Sequence, residues 1–285
     1  MGDRHVVVVG GGITGLAAAY RLVELAPGLR VTLIEAGAGL GGKLRTADLA
    51  GHPCDTGAEA FLTSDPDGGP STAVALARAV GLGADLVHPV NGRAAVAIGG
   101  SLRPLPAGTL MGVPGDLGAL DGLAVADAGR DRDDGRPLLA AGADTTIGEL
   151  VRRRLGDDVV AHLVDPMLGG VYAGNADAIS LRMAVPALAD AATGQHTLTA
   201  AVRAAAASRK APAGTPVFTT VVGGLGRLVE AVAGRLAAAG VTIHCGTSVT
   251  RIDRAGRRWM VNAGTGGHRL RLPADGIVLA VPTPA

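Results

Sequence analysis

A chain of 285 residues is long enough for two intertwined domains with cores of their own, and at 48% hydrophobic it is not a disordered protein. Its 26 basic and 25 acidic residues leave a net charge of +1, so there is no electrostatic footprint for nucleic acid, and 2% aromatics leave few stacking platforms. Two cysteines far apart in sequence, Cys54 and Cys245, and seven scattered histidines argue against a zinc site or a disulfide framework and suit a reducing cytosol.

The stretch from Arg4 to Tyr20 imitates a signal peptide, but its internal glycines and the missing small-residue cleavage pattern argue against one. It is too short and too broken by glycine to span a bilayer. Val6 stands where a myristoylation signal carries Ser or Thr. Val6–Val9 is the four-valine run of a strand buried on both faces. A turn at Gly10–Gly15 follows, then a helix over Leu16–Ala26, ended by Pro27-Gly28. Arg30–Glu35 alternates into a second strand, giving the start of a βαβ unit. Gly37–Gly42 is a second glycine-rich loop, leading into Lys43–Thr46.

Ser71 is placed to cap a helix running to Val80. Gly99-Gly100 reads as the turn of a hairpin between Ala94–Ile98 and Ser101–Leu105. Arg130–Arg136 reads as an exposed, mobile loop. Thr146 and Glu149 form a capping-box pattern for a helix over Ile147–Leu155, stopped by Gly156, with a further helix from Asp157 to about Leu163. Arg152–Arg154 is the densest basic run; on a helix its three side chains diverge, as at a solvated helix end. Residues 183–209 are largely helical, with a break near Thr193-Gly194. Val217–Val222 is a strand, Leu225–Ala239 an amphipathic helix and Val241–Cys245 a strand. Val249–Asp253 and Trp259–Asn262 suit a hairpin around Ala255-Gly256, and Ile277–Val281 is a buried strand. The pattern is a nucleotide-binding unit, a mixed insertion, and a return to the first domain.

Gly10-x-Gly12-x-x-Gly15 would say little alone in a chain with 45 glycines, where an ordinary glycine-rich turn is the alternative. Here a strand precedes it, a helix follows, and Glu35 stands 20 residues after Gly15 at the end of the next strand, which are the conditions of a dinucleotide-binding turn. Gly10 permits the tight turn, Gly12 lets backbone approach a pyrophosphate, and Gly15 lets helix and strand pack closely. Free N–H groups of the turn, whose Gly11, Ile13 and Thr14 are also candidate cofactor contacts, and the positive helix end then face the phosphates. Glu35 accepts ribose hydroxyls and repels a 2′-phosphate. The second cluster, ending in Gly41-Gly42-Lys43, favours FAD over NAD, because a simple NAD domain proceeds to another helix there; a flexible loop is the other reading of that cluster.

Taken together, VVVVGGGITGLAAAY, VTLIEAGAGLGGKLRT and DTGAEAFL resemble the flavin-containing amine-oxidase superfamily. LVDPMLGGVYAGNADAISLRMAVP at 163–186 resembles the protoporphyrinogen and coproporphyrinogen III oxidase family, as do SLRPLPAGTLMGVP, VVGGLGRLVEAVAGRL and the terminal GIVLAVPTPA. The resemblance implies an α/β fold, an FAD-binding Rossmann-like domain interrupted by a mixed α+β substrate and helical domain, with boundaries at 1–70, 71–214 and 215–285. It implies FAD-dependent oxidation of a porphyrinogen by molecular oxygen in haem biosynthesis, in the cytoplasm or peripheral to the inner face of the membrane. The Ala/Gly/Arg-rich composition resembles that of a high-GC bacterium, which favours coproporphyrinogen III over protoporphyrinogen IX. The alternatives are another amine-oxidase-superfamily enzyme, such as a carotenoid desaturase or an amine oxidase, a non-catalytic nucleotide-binding remnant, and an NAD-dependent dehydrogenase.

Cofactor contacts implied by the resemblance fall on the Gly10–Gly15 turn, Glu35 and Ala36 at the adenosine ribose, Gly42 and Lys43 near the phosphates or flavin, Gly57, Ala58, Glu59 and Ala60 beside the flavin ring, and Val249 at adenine. For the substrate, Arg93 is the first candidate for a propionate partner and Arg103 the second, while Gly170 and Gly174 would line the cavity. Either arginine reads equally well as a solvated surface residue, and Gly170–Gly174 as a plain loop. The chemistry demands no acid–base pair, so no catalytic side chain is nominated. Gly39 stands where the family often has Arg. Family members continue well over a hundred residues past this chain's last strand, so a fragment is expected.

Overall fold

The computed structural model describes residues 4–90, 94–208, 210, 214–266 and 268–282. Two compact units emerge, one formed by Met1–Asp65, Gly69–Val90 and Pro212–Ala285, the other by Pro66–Gly68 and Asn91–Ala211.

The first unit begins with β1 (His5–Val9), α1 (Ile13–Leu25) and β2 (Arg30–Ile34). Helix α1 starts at Ile13, three residues before the expected start, because Gly12 is already its N-cap. A hairpin of β3 (Thr46–Leu49) and β4 (His52–Asp55) follows, then β5 (Phe61–Leu62), α2 (Thr72–Ala79) and β6 (Leu86–Val87). Ser71 caps α2 by accepting the Val74 N–H at 3.2 Å. Ala77, Val80 and Leu82 bury themselves with Leu16 and Leu228, so residues 71–90 belong to this unit and the boundary falls near 90 instead of 70.

The second unit contains the hairpin β7 (Ala95–Ile98) and β8 (Ser101–Pro104), and the short pair β9 (Thr109–Leu110) and β10 (Val113–Pro114). Its helices are α3 (Ile147–Leu155), α4 (Asp157–Val159), α5 (Asp165–Tyr172), α6 (Leu181–Ala184), α7 (Pro186–Ala192) and α8 (Leu198–Ala207). Leu150, Leu155, Leu163, Leu168, Leu188 and Leu198 are fully buried in one apolar core, each contributing about 1.5–3 kcal/mol. The Thr146 hydroxyl caps α3, while Glu149 takes the Thr145 hydroxyl at 2.7 Å, so half of the capping box forms. The helix expected to stop near Leu163 instead runs on to Tyr172 through a π-helical turn over Val160–Val164. Pro166 has no N–H to continue an α-ladder, and the Asp165 N–H reaches back five residues to the Val160 carbonyl. Residues 130–136 are mostly exposed, yet the loop is tied down: Asp131 is nearly buried and caps α8, accepting the Leu198 and Thr199 N–H groups at 2.6 and 3.0 Å.

The chain returns to the first unit with β11 (Phe218–Val221), α9 (Gly226–Ala238), β12 (Thr242–His244), β13 (Ser248–Ala255), β14 (Arg258–Thr265), β15 (His268–Ala274) and β16 (Gly276–Leu279). Strand β15 was not anticipated; it extends the expected hairpin to a three-stranded antiparallel sheet. The parallel sheet runs β12-β2-β1-β16. Its faces are written in the valine run: Val8, with Val31 and Leu33, packs on Leu16 of α1 and Leu228 and Val232 of α9. Val7, Val9 and Ile34 point the other way, onto Val261, Ala263 and Ala274 of the antiparallel sheet. Period-2 alternation of an all-apolar strand thus makes three layers, with the carboxyl ends of β1 and β2 meeting the Gly10 and Glu35 loops.

Among the described residues, no helix is long and apolar enough to cross a membrane, and no group of three or more His, Cys, Asp or Glu side chains is arranged for a metal.

Candidate functional site

A cleft of about 630 Å³ opens in the first unit at the carboxyl ends of β1 and β2. Its walls are built by backbone more than by side chains. Gly10 has φ +109°, and a Cβ there would sit 2.3 Å from the Ala280 carbonyl oxygen. At Gly15 a Cβ would sit 1.9 Å from the Gly10 oxygen, so the helix cannot approach the strand with any side chain in place. A Cβ on Gly11 would meet Leu40 and Glu35 at 2.7 and 2.8 Å. Gly12 differs from all three: its φ is −68° and the nearest atom to a Cβ is the Gly42 Cα at 3.9 Å. Neither its own backbone nor protein packing requires glycine at position 12; the space in front of it is kept open.

The second glycine cluster is docked on the first. The Gly41 N–H donates to the Gly11 carbonyl at 2.9 Å. Gly41 and Gly42 take φ of +112° and +60°, and a Cβ at Gly42 would press on the Gly12 Cα at 3.1 Å. Lys43 follows at the cleft wall with its side chain exposed.

Helix α1 points its N-terminus into this space. Gly12 offers no side-chain cap, and the first turn carries no acidic residue. The amides of Ile13, Thr14 and Gly15 are among the four at a helix start with no partner inside the helix, and they meet the positive end of the helix dipole. Glu35, at the end of β2, accepts the Gly11 N–H at one carboxylate oxygen and the Gly37 N–H at the other, both at 2.6 Å. Each oxygen keeps acceptor capacity for a hydroxyl. Cys245 is exposed beside this carboxylate; partial desolvation, and then the Glu35 charge, raise the pKa of its thiol.

Of the residues selected from sequence, Gly10, Gly12, Ile13, Thr14, Glu35, Ala36, Gly42, Lys43 and Val249 line the cleft. Gly11 and Gly15 shape it from behind. Gly57, Ala58, Glu59 and Ala60 do not line it; they form an exposed stretch after β4, bound to the Lys43 carbonyl through the Ala58 N–H at 3.0 Å. Arg93 lies outside the described residues. Arg103, in the second unit, donates to the carbonyl and carboxylate of Asp121. Gly170 and Gly174 also lie in the second unit; a Cβ at Gly170 meets nothing within 4 Å, while one at Gly174 meets Ile179 at 3.3 Å. Sequence reading missed Thr247, Ser248 and Leu279–Pro282, which complete the cleft wall. No sequence signal marked them, because their place at the cleft is set by the tertiary fold, as with the Ala280 carbonyl that forces glycine at position 10.

Another cavity, of about 660 Å³, lies along α1 and α2 and is lined mainly by apolar side chains with Tyr20, Arg21 and Glu24. It takes in Ile13 and Thr14 at the start of α1 and Thr72 and Ala73 at the start of α2, but no glycine loop and neither Glu35 nor Lys43, which line the first cleft.

Residues 13–285 match the model of the flavin containing amine oxidoreductase family. A protein named coproporphyrinogen III oxidase from Mycobacterium tuberculosis is 38% identical over 290 residues, covering 100% of this chain and 60% of its own length. One of the same name from Bacillus subtilis is 30% identical, covering 99% of this chain and 60% of its own length. A solved structure from Exiguobacterium, provisionally named protoporphyrinogen oxidase, superposes with a TM-score of 0.74 at 30% identity, again covering 99% of this chain and 60% of the other. The chain therefore spans about three-fifths of the length of the relatives it matches. With its glycine cleft and a match along nearly all of its own sequence, the chain belongs to the flavin-containing amine oxidoreductase family.

Proposed function

We propose that this chain carries the FAD-binding and part of the substrate-binding machinery of an oxygen-using oxidase that converts a porphyrinogen to the porphyrin in haem biosynthesis, with coproporphyrinogen III as substrate ahead of protoporphyrinogen IX. The reading rests on one observation above others: the space before Gly12 is open although nothing in the protein needs it. A diphosphate fits there against bare backbone amides and the α1 N-terminus. Glu35 would hold the adenosine ribose, Ala36 and Val249 would flank the adenosine, and Gly42 and Lys43 would sit near the phosphates. Gly57–Ala60 would run beside the flavin ring. The names of the Mycobacterium and Bacillus relatives support the choice of substrate.

Bound FAD would supply the hydride acceptor at N5 and pass the reducing equivalents to oxygen as peroxide. This chain's residues bind, orient and keep the cofactor from the wrong nucleotide: Glu35 repels a 2′-phosphate, and α1 faces the diphosphate. Arg93 and, in the second unit, Arg103 are the candidates to meet substrate carboxylates, and Gly170 and Gly174 to leave room for a flat macrocycle.

The test is turnover by the full gene product. Coproporphyrinogen III should yield fluorescent porphyrin with oxygen consumed and peroxide formed. Peroxide from an amine, with no porphyrin from either porphyrinogen, would replace this reading with that of an amine oxidase.

A further inference from the structure

We propose that Asp55, acting with Thr46, is the positioning residue of the cofactor site, fixing the Lys43 element and the Gly57–Ala60 segment in one register; this rests on the FAD reading above. Helix α9 begins at Gly226 after Gly223, Gly224 and Leu225, none of which has a side-chain acceptor, and no local cap forms. The missing cap comes from 170 residues away. Both oxygens of Asp55 accept the Leu225 N–H, at 3.0 and 3.1 Å. The Thr46 hydroxyl accepts the Gly226 N–H at 2.8 Å and donates its own hydrogen to Asp55 at 2.5 Å. A carboxylate suits this place, since it meets the positive end of the helix dipole.

Thr46 and Asp55 are also cross-strand partners, the first and last residues of the β3–β4 hairpin. Lys43 lies just before one, and Gly57–Ala60 just after the other. The two flanks are zipped by the Thr56 N–H to the Arg45 carbonyl at 2.7 Å and the Ala58 N–H to the Lys43 carbonyl at 3.0 Å. There is no slack: a Cβ on Gly57 would lie 2.1 Å from the Lys43 oxygen, and one on Gly224 would lie 2.7 Å from Thr46 and 2.8 Å from Asp55. Helix α9 is the common anchor, because Val229 also backs Gly41, where a Cβ would come within 3.3 Å of it. Loosening Asp55 therefore lets both segments shift against the Gly10–Gly15 turn.

The experiment is FAD titration of the full gene product, with visible circular dichroism of the bound flavin and thermal unfolding of the apoprotein measured in parallel. Asp55→Asn and Thr46→Val should each weaken FAD binding by about tenfold or more and change the flavin dichroism. Thr46→Ser should restore both, and the double variant should be little worse than either single one. If Asp55→Asn fails to fold, Thr46→Val against Thr46→Ser decides the matter. Folded variants that melt earlier yet bind FAD with wild-type affinity and dichroism would reduce the pair to a plain helix cap and overturn the inference alone. A wild type that takes up no flavin would overturn the FAD reading and the inference together.

Discussion

The two units hold their loops by different means. In the first, the cleft is backbone against backbone: Gly15 on the Gly10 carbonyl, Gly10 on the Ala280 carbonyl, Gly41 hydrogen-bonded to Gly11. In the second, long or charged side chains reach across to main-chain groups. Arg154 donates to the carbonyls of Arg132 and His196, Arg153 to that of Leu138, and Asp131 receives the amides at the start of α8. The run Arg152–Arg154 diverges as a helix requires, but its members staple loops and are not merely solvated. Direct backbone contact leaves no volume for substitution, whereas a side-chain staple can be cut without forcing anything apart.

That contrast orders the expected effects. Gly15→Ala should be the most damaging, because its methyl would lie 1.9 Å from a carbonyl oxygen; we expect more than about 3 kcal/mol lost in urea unfolding. Gly12→Ala breaks the pattern within the same loop. Its conformation is ordinary and its surroundings empty, so stability should fall by no more than about 1 kcal/mol, the difference between these residues at an N-cap, while flavin content after purification collapses. Equal stability losses at the two positions would erase the distinction between a glycine needed by the fold and one needed by a ligand.

In the second unit, Asp131→Ala should cost about 2 kcal/mol, since it strips two amides and the Thr199 hydroxyl of their acceptor without any clash. His5 sharpens the comparison as a side-chain staple inside the backbone-built unit. It is buried, with Nδ1 on the Pro273 carbonyl at 2.8 Å and Nε2 on the Thr32 hydroxyl at 2.9 Å. Burial chiefly, with Arg30 and Arg258 nearby, holds its pKa below the ordinary 6.5, outweighing the Pro273 carbonyl and Asp275. The folded state therefore binds this proton more weakly than the unfolded chain does. The stabilisation is complete above pH 6.5 and is lost as pH falls through the depressed value. Melting temperature followed from about pH 7.5 to about pH 5.5 should decline in the wild type and decline less steeply in His5→Gln. Smallest of all, Arg152→Met removes exposed pairs to Asp157 and Asp177 and should shift stability by less than about 1 kcal/mol, vanishing at high salt.

Much of this was legible in one dimension wherever a local rule applies. Val6–Val9, the glycine spacing and Glu35 announced the βαβ unit and its turn because a strand, a tight turn and the helix after it are contiguous in sequence. The caps at Ser71 and Thr146 were readable for the same reason, each serving an amide three residues on. Strand β15 escaped notice because its polar alternation, HRLRLPA, gains its apolar face only from Val261 and Ala263 on the strand beside it. The π turn before Pro166 was hidden because one proline reads equally as a helix stop or an interruption.

Sequence alone determined which residues form the Gly10–Gly15 turn, because the absence of a side chain is a property of the residue itself. Tertiary structure alone decided why each glycine is there, since the carbonyl that forbids a Cβ at Gly10 comes from Ala280. It also decided that α9 is capped by Asp55, a partner 170 residues away. A steric or hydrogen-bonding demand set by a distant segment leaves no periodicity and no spacing behind; it exists only once the chain has folded back on itself.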